Sequence, residues 1–280
     1  MAQSNLLSIE PLNPTIGAVL RGVDLRELSD AAVEDIRGAL LKHQVVFFEG
    51  QDLTPAQQRD AAARFGELHV HPLYPTDGAV PEIMVLDNKP ENPTDNDHWH
   101  TDVTFLETPA LGAFLYALQV PPSGGDTLWS SMTAAYKALS KPMRDFLDGL
   151  SAVHDFSHAF TANGLAGSAA GRAQYDKAVA DHPPVIHPVV RTHPETGRKA
   201  LYVNAAFTVE IVGMEKARSD ALLKHLYAQA AIPEYQCRFR WTPGAIAFWD
   251  NRASQHYAAS DYWPAVRRVE RVTVIGDKPF

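Results

Sequence analysis

Residues 95–105 read DNDHWHTDVTF. Two histidines and three aspartates stand here, running directly into an apolar, β-branched segment. Ionisable side chains placed where a strand is about to be buried are costly unless something pairs with them. With residues 99–105 extended, His100 and Asp102 project to one face and Thr101 to the other. That sets an imidazole and a carboxylate side by side as a pair of metal ligands. The same alternation puts His98 on the face of His100, where it reads as a neighbour of the site or a solvent-facing ring. A satisfied polar network at a strand end would use the same residue types, so the H-x-D spacing needs support from elsewhere in the chain.

A third ligand must come from far along the sequence, and His256 in AFWDNRASQHYA is the best candidate. Two histidines and one carboxylate on one side of a metal, with open positions opposite, is the pattern of non-haem Fe(II) oxygenases. Arg267 lies eleven residues beyond His256, on the strand RRVERVTVI. Alternation places Arg267, Val269 and Arg271 on one face and Arg268, Glu270 and Val272 on the other. Two arginines pointing inward beside a metal require anions to pair with them. A guanidinium is always charged and forks onto carboxylate or sulfonate oxygens. The pocket is therefore expected to hold two anionic groups. Two solvated arginines on an edge strand would be the plainer alternative.

Short strand signals run along the whole chain. AVLRGV, VVFFEG, EIMVLD, LGAFLYAL, TLWSS, PVIHPVVRT, KALYVN, QCRFRW, AIAFWD and RRVERVTVIG are each rich in Val, Ile, Phe or Tyr and bounded by turn residues. HPETG at 193–197 and TPG at 242–244 read as turns between strands. TPAQQRDAAARFG carries a capping box from Thr54 to Gln57 with Pro55 at the first helical position, and Gly66 ends it. Residues 28–43 and 215–232 show the helical period. Residues 159–174, rich in Gly and Ala without a pattern, read as a mobile loop that could serve as a lid. The fold class expected is mainly β with flanking helices, a jelly roll. With no repeat, linker or low-complexity segment, residues 1–280 read as one domain.

The composition sets outer limits. The chain has 280 residues, 45% hydrophobic and 21% charged, with a formal net charge of -8. That balance argues against a nucleic-acid partner, which would want a basic face. No apolar run approaches the roughly 20 residues that span a bilayer. The start MAQSNLLSIEPLNP lacks a basic region and a sustained apolar stretch, so no signal peptide is expected. A single cysteine, Cys237, cannot form an internal disulfide. A cytoplasmic protein without a membrane partner is the expectation.

The H-x-D pair, the distant histidine and the arginine eleven residues beyond it resemble the Fe(II)/2-oxoglutarate-dependent dioxygenases of the taurine dioxygenase family. RFGELHVHPLYP, DNDHWHTDVTFLETP, GGDTLW, HPVVRTHPETG, WDNRASQHYA and the ending GDKPF carry the likeness over nearly the whole chain. The resemblance implies a double-stranded β-helix core and Fe(II) held by His100, Asp102 and His256. It implies that Arg267 and Thr127 hold the far carboxylate of 2-oxoglutarate. For taurine it implies His71 and Arg271 on the sulfonate, the Val103 backbone amide nearby, Tyr74 and Asn96 at the amine, and Phe160 and Phe207 as walls. Where the family often has Ser before that phenylalanine, this chain has Ala159. Taken alone, Phe160 and Phe207 fit core aromatics, His71 and Tyr74 a proline-rich turn, Asn96 a turn cap and Thr127 an ordinary strand threonine.

The activity implied uses dioxygen and 2-oxoglutarate to hydroxylate the carbon bearing the sulfonate. Products would be sulfite, aminoacetaldehyde, succinate and carbon dioxide, in the service of sulfur acquisition. A homo-oligomer, dimer or tetramer, follows the family tendency. A sibling acting on another sulfonate, an alkyl sulfate or an aryloxy acid would share the iron and co-substrate residues. A non-catalytic jelly roll binding a metal and an anion is the alternative from another class.

Overall fold

Alternation along four neighbouring strands divides their apolar residues between two separate cores. The computed structural model describes residues 7–71, 76–89, 96–160 and 169–280. The chain opens with β1 (Ser8–Pro11), β2 (Ala18–Arg21), α1 (Asp30–His43) and β3 (Val45–Phe48). Then come α2 (Pro55–Ala63), β4 (Leu68–His69), β5 (Ile83–Asn88) and β6 (Ala110–Gln119). β7 (Thr127–Ser131) leads into α3 (Met132–Ala138), α4 (Lys141–Leu147), β8 (Ser151–His154) and the single turn α5 (Phe156–Ala159). α6 (Ala169–Asp181) precedes β9 (Val185–Pro188), β10 (Val190–Thr192), β11 (Lys199–Leu201), β12 (Thr208–Ile211) and α7 (Lys216–Tyr227). The chain closes with β13 (Gln236–Phe239), β14 (Ile246–Asp250), β15 (Ser254–Ala258) and β16 (Arg267–Ile275).

The major sheet runs β1-β2-β3-β14-β6-β16-β4, with β5 also on β16. The minor sheet is β13-β7-β15, extended by an isolated bridge between His256 and His100. On the major sheet Val45, Phe47, Ala113, Leu115, Ala247, Trp249 and Val269 face the minor sheet's Trp129, Cys237 and Phe239. The intervening Val46, Phe48, Phe114, Tyr116, Ile246, Phe248, Val272 and Val274 face the opposite way. There they meet Ile36, Ala39 and Leu40 of α1 and Ala61 and Ala62 of α2. Phe114 and Phe248 stack at 4.1 Å across the β6–β14 pair. Fully burying each such ring contributes about 1.5–3 kcal/mol. The two sheets close on one another as a jelly roll with helices outside, as expected.

Local signals hold the helices in place. Thr54 and Gln57 form the capping box at α2, and Ser29 caps α1 by accepting from Ala32 N. HPETG is the β10–β11 turn, with Gly197 N donating to His193 O at 2.9 Å. Two expectations are corrected. Residues 99–105 are not a strand: pairing stops at His100, and a turn over 102–105 follows, with Leu106 N donating to Val103 O. Of the stretch expected as a loop at 159–174, residues 161–168 lie outside the described residues, and 169–174 form the start of α6. Alanines at 169, 170, 173 and 178 supply the helix propensity there, and Tyr175, Ala178 and Val179 give it an apolar side on the aromatic cluster of Phe105, Phe156 and Phe207. No helix among the described residues is long and apolar enough to cross a membrane.

Candidate active site

His100, Asp102 and His256 come together between the sheets, with one potential ligand atom from each within 4.8 Å of the others. His256 sits in the middle of β15, opposite Trp129 of β7. Its backbone exchanges two hydrogen bonds with His100, at 3.0 and 2.8 Å. This bridge fixes the two rings at 4.1 Å between centroids. Asp102 reaches the same spot because the chain turns immediately after Thr101, whose hydroxyl donates the other way to Ser254 O. The turn passes through Val103 at φ 48°, a left-handed conformation that a β-branched residue adopts only under strain. The H-x-D pair thus converges as alternation implied, but through a turn that swings Asp102 inward.

The protonation states suit a cation. His100 Nδ1 lies 2.9 Å from His98 O, so its N–H points there and Nε2 keeps its lone pair for the site. Burial holds His100 well below the usual imidazole range and His256 at about 4. Burial alone would raise the Asp102 carboxyl. Arg271, His256 and His100 outweigh it, and the carboxyl lies well below the ordinary carboxylate range. Two neutral imidazoles and an ionised carboxylate form one buried donor set, with Asp102 Oδ1 and His256 Nε2 3.8 Å apart. This set fits a divalent first-row metal held from one side.

The cavity beside these groups is lined by Asn96, His100, Thr127, His256, Arg267 and Arg271, with Trp129 and Trp249 among its apolar walls. Arg267 is 4% exposed, and its Nε and Nη2 have no hydrogen-bond partner. Burial lowers its guanidinium to about 10. Thr127 accepts from Trp241 Nε1 at 2.9 Å, which leaves its own hydroxyl hydrogen to donate into the cavity. Arg271 donates from Nη1 to Asp102 Oδ1 at 2.6 Å, a partner not foreseen from the sequence, while its Nε is unpartnered.

The remaining expected residues lie on one side. His71 is buried and held at about 3, first by desolvation and then by Arg271. Its ring is 6.1 Å from Phe160, which is itself 6.1 Å from Phe207. Phe105 joins this wall at 5.3 Å from Phe207. Tyr74 lies outside the described residues. Sequence reading missed Asn251, whose Nδ2 donates to Asp102 Oδ2 at 3.2 Å. The signal was the polar triplet DNR placed directly after the wholly apolar AIAFW.

The profile described as taurine catabolism dioxygenase TauD, TfdA family, matches residues 8–273. The chain belongs to this TauD/TfdA family. It is 37% identical over 284 residues to an alpha-ketoglutarate-dependent sulfate ester dioxygenase of Pseudomonas putida, covering 98% of this chain and 91% of that protein. A crystal structure of a taurine dioxygenase from Burkholderia xenovorans matches with TM-score 0.82 and 39% identity, over 98% and 92% of the two chains. AAD-2 in complex with Mn(II) and N-oxalylglycine matches with TM-score 0.79 and 28% identity, over 98% of each chain. TauD/TfdA membership makes the chain an alpha-ketoglutarate (2-oxoglutarate)-dependent dioxygenase whose cofactors are Fe(II) and the keto acid.

Proposed function

We propose that this protein oxygenates the carbon next to an anionic sulfur group, a sulfonate or a sulfate ester. The observation that carries the reading is the pair of buried arginines on one face of β16. Arg267 offers two unpartnered N–H groups at one end of the cavity, and Arg271 sits beside the metal ligands at the other. Arg267 calls for one end of a dicarboxylate co-substrate, and the Nε that Arg271 keeps unpartnered beside its Asp102 ion pair is the donor for a second anion, the substrate. His100, Asp102 and His256 hold Fe(II), while Arg267 and the Thr127 hydroxyl take the far carboxylate of 2-oxoglutarate. The bound iron and keto acid supply the oxygen activation, converting 2-oxoglutarate to succinate and carbon dioxide.

Arg271 and His71 grip the sulfur-bound oxygens. His71 is neutral at physiological pH, so it contributes a hydrogen bond without adding charge. The Val103 amide is offered by the left-handed turn. Phe160 and Phe207 enclose the carbon chain and exclude water. With taurine, the substrate implied by the sequence motifs, Asn96 and Tyr74 serve the amine. A second reading is favoured by the aromatic wall of Phe105, Phe160 and Phe207. That suits an uncharged alkyl tail, as on a sulfate ester or alkanesulfonate.

The test is product analysis with taurine, an alkanesulfonate, an alkyl sulfate and an aryloxy acid. Sulfite release identifies a sulfonate substrate and sulfate release a sulfate ester, each matched by succinate. Succinate formation coupled only to the aryloxy acid would overturn the substrate class. Absence of any absorption band on adding 2-oxoglutarate to the anaerobic Fe(II) protein would overturn the whole reading.

A further inference from the structure

We infer that Asn251 is a positioning residue that keeps Asp102 a one-oxygen ligand. The inference rests on the reading of His100, Asp102 and His256 as the iron site. Asn251 is 1% exposed, at the turn between β14 and β15. Its Nδ2 donates to Asp102 Oδ2 at 3.2 Å, while Asp102 Oδ1 faces His256 Nε2 and accepts from Arg271 Nη1 at 2.6 Å. Its Oδ1 accepts from Trp249 Nε1 at 3.0 Å and from Asp102 N at 3.4 Å. The indole can only donate, so it fixes which end of the amide is oxygen and aims the NH2 at the carboxylate.

The backbone of Asn251 is held equally firmly. Its N–H donates to Leu111 O at 2.8 Å. On either side, Arg252 clasps Asp250 through Nε and Nη2 at 2.9 and 2.8 Å, and His193 adds a contact to Asp250 at 2.9 Å. Arg252 Nη1 also reaches Glu195 at 2.6 Å. The amide therefore projects from a buried, ion-paired platform and cannot follow Asp102 if the carboxylate rotates.

The chemical consequence concerns the number of open positions. A metal held by His100, Asp102 and His256 would need its remaining positions kept open for the keto acid and dioxygen. A carboxylate free to turn about its last bond can bind through both oxygens and occupy one of those places. Asn251 holds the second oxygen away.

The experiment titrates the anaerobic protein with Co(II) and Fe(II), then with 2-oxoglutarate, in wild type, Asn251→Ala and His256→Ala. Loss of an outer partner of a metal ligand weakens metal affinity about 10–100-fold. That drop is expected for Asn251→Ala, with an altered Co(II) visible spectrum and a weaker 2-oxoglutarate band, on top of the lower melting temperature of the metal-free protein that follows from leaving Trp249 Nε1 and Asp102 without their buried partner. Wild-type metal affinity and spectrum in Asn251→Ala would overturn the inference. If that variant does not fold, Asn251→Asp keeps the volume and both acceptor contacts but replaces the donor with a like charge. It is expected to alter the Co(II) spectrum and weaken the 2-oxoglutarate band; a wild-type spectrum and band would overturn the inference. If wild type itself binds neither metal nor keto acid, or His256→Ala binds both as well as wild type, the iron-site reading fails instead.

Discussion

Replacing Arg267 with methionine is expected to stabilise the metal-free protein while crippling 2-oxoglutarate binding. Arg267 is 4% exposed, and its Nε and Nη2 lack partners. Burial lowers its pKa from 12.5 to about 10. At 1.36 kcal/mol per unit, this corresponds to roughly 3 kcal/mol of unfavourable charge burial. A base depressed in the fold carries that cost wherever it stays protonated, which includes neutral pH. Methionine removes the charge but also removes the contact with Trp241, whose ring lies 5.7 Å from the guanidinium carbon. That contact contributes about 0.5–2 kcal/mol. The net gain is about 1–2 kcal/mol, or a melting temperature higher by roughly 2–8 °C at about 2–4 °C per kcal/mol. Binding moves the other way. Each charge-assisted hydrogen bond to a carboxylate contributes about 1.5–3 kcal/mol. Loss of one weakens 2-oxoglutarate about 10–100-fold, and loss of two sets a ceiling near four orders of magnitude. Differential scanning calorimetry and anaerobic titration of the Fe(II) protein measure the two quantities. A variant that melts lower and binds 2-oxoglutarate normally would show Arg267 to be a structural residue and refute the reasoning.

Arg271→Ala should raise the KM of the sulfur substrate about 10–100-fold and leave that of 2-oxoglutarate nearly unchanged; equal effects on both would contradict the assignment. Burial keeps His71 at about 3 and His154 well below the ordinary imidazole range. The unfolded chain protonates these rings near pH 6.5 and the folded protein does not, so stability is full above that pH and declines toward pH 4. Each ring contributes a slope of roughly 1.4 kcal/mol per pH unit in that window, and His71→Asn should remove one such slope from denaturant midpoints measured against pH. Gly112 allows β6 to pass β14, because a Cβ there would lie 2.1 Å from Trp249 O. Gly112→Ala should cost about 1–3 kcal/mol or more, read as a lower urea midpoint, and an unchanged midpoint would show that the strands can separate without loss.

Legibility in the sequence followed the range of the forces involved. The strand alternation of β16 and the capping box of α2 depend on neighbours a few residues apart, and both stand as the sequence implies. The residues 102–105 did not, because β-branched composition favours a strand while the His100–His256 bridge, made across 156 positions, ends the pairing and forces the turn. The partner of Arg271 was equally hidden, since Asp102 is 169 positions away. Helix α6 was obscured by glycines at 164, 167 and 171, whose flexibility outweighed the alanines in a local reading. Asn251 gave no periodic signal at all; its role depends on the meeting of β14 with the turn after His100.

The two arginines of β16 are four residues apart on one strand. At about 3.3 Å per residue, the strand acts as a ruler that sets their α-carbons roughly 13 Å apart. Insertion or deletion between them would turn one guanidinium toward the helices, so the distance cannot be adjusted in small steps. Changes on the aromatic side leave that spacing untouched, so the span between the two guanidinium anchors is fixed by the strand itself.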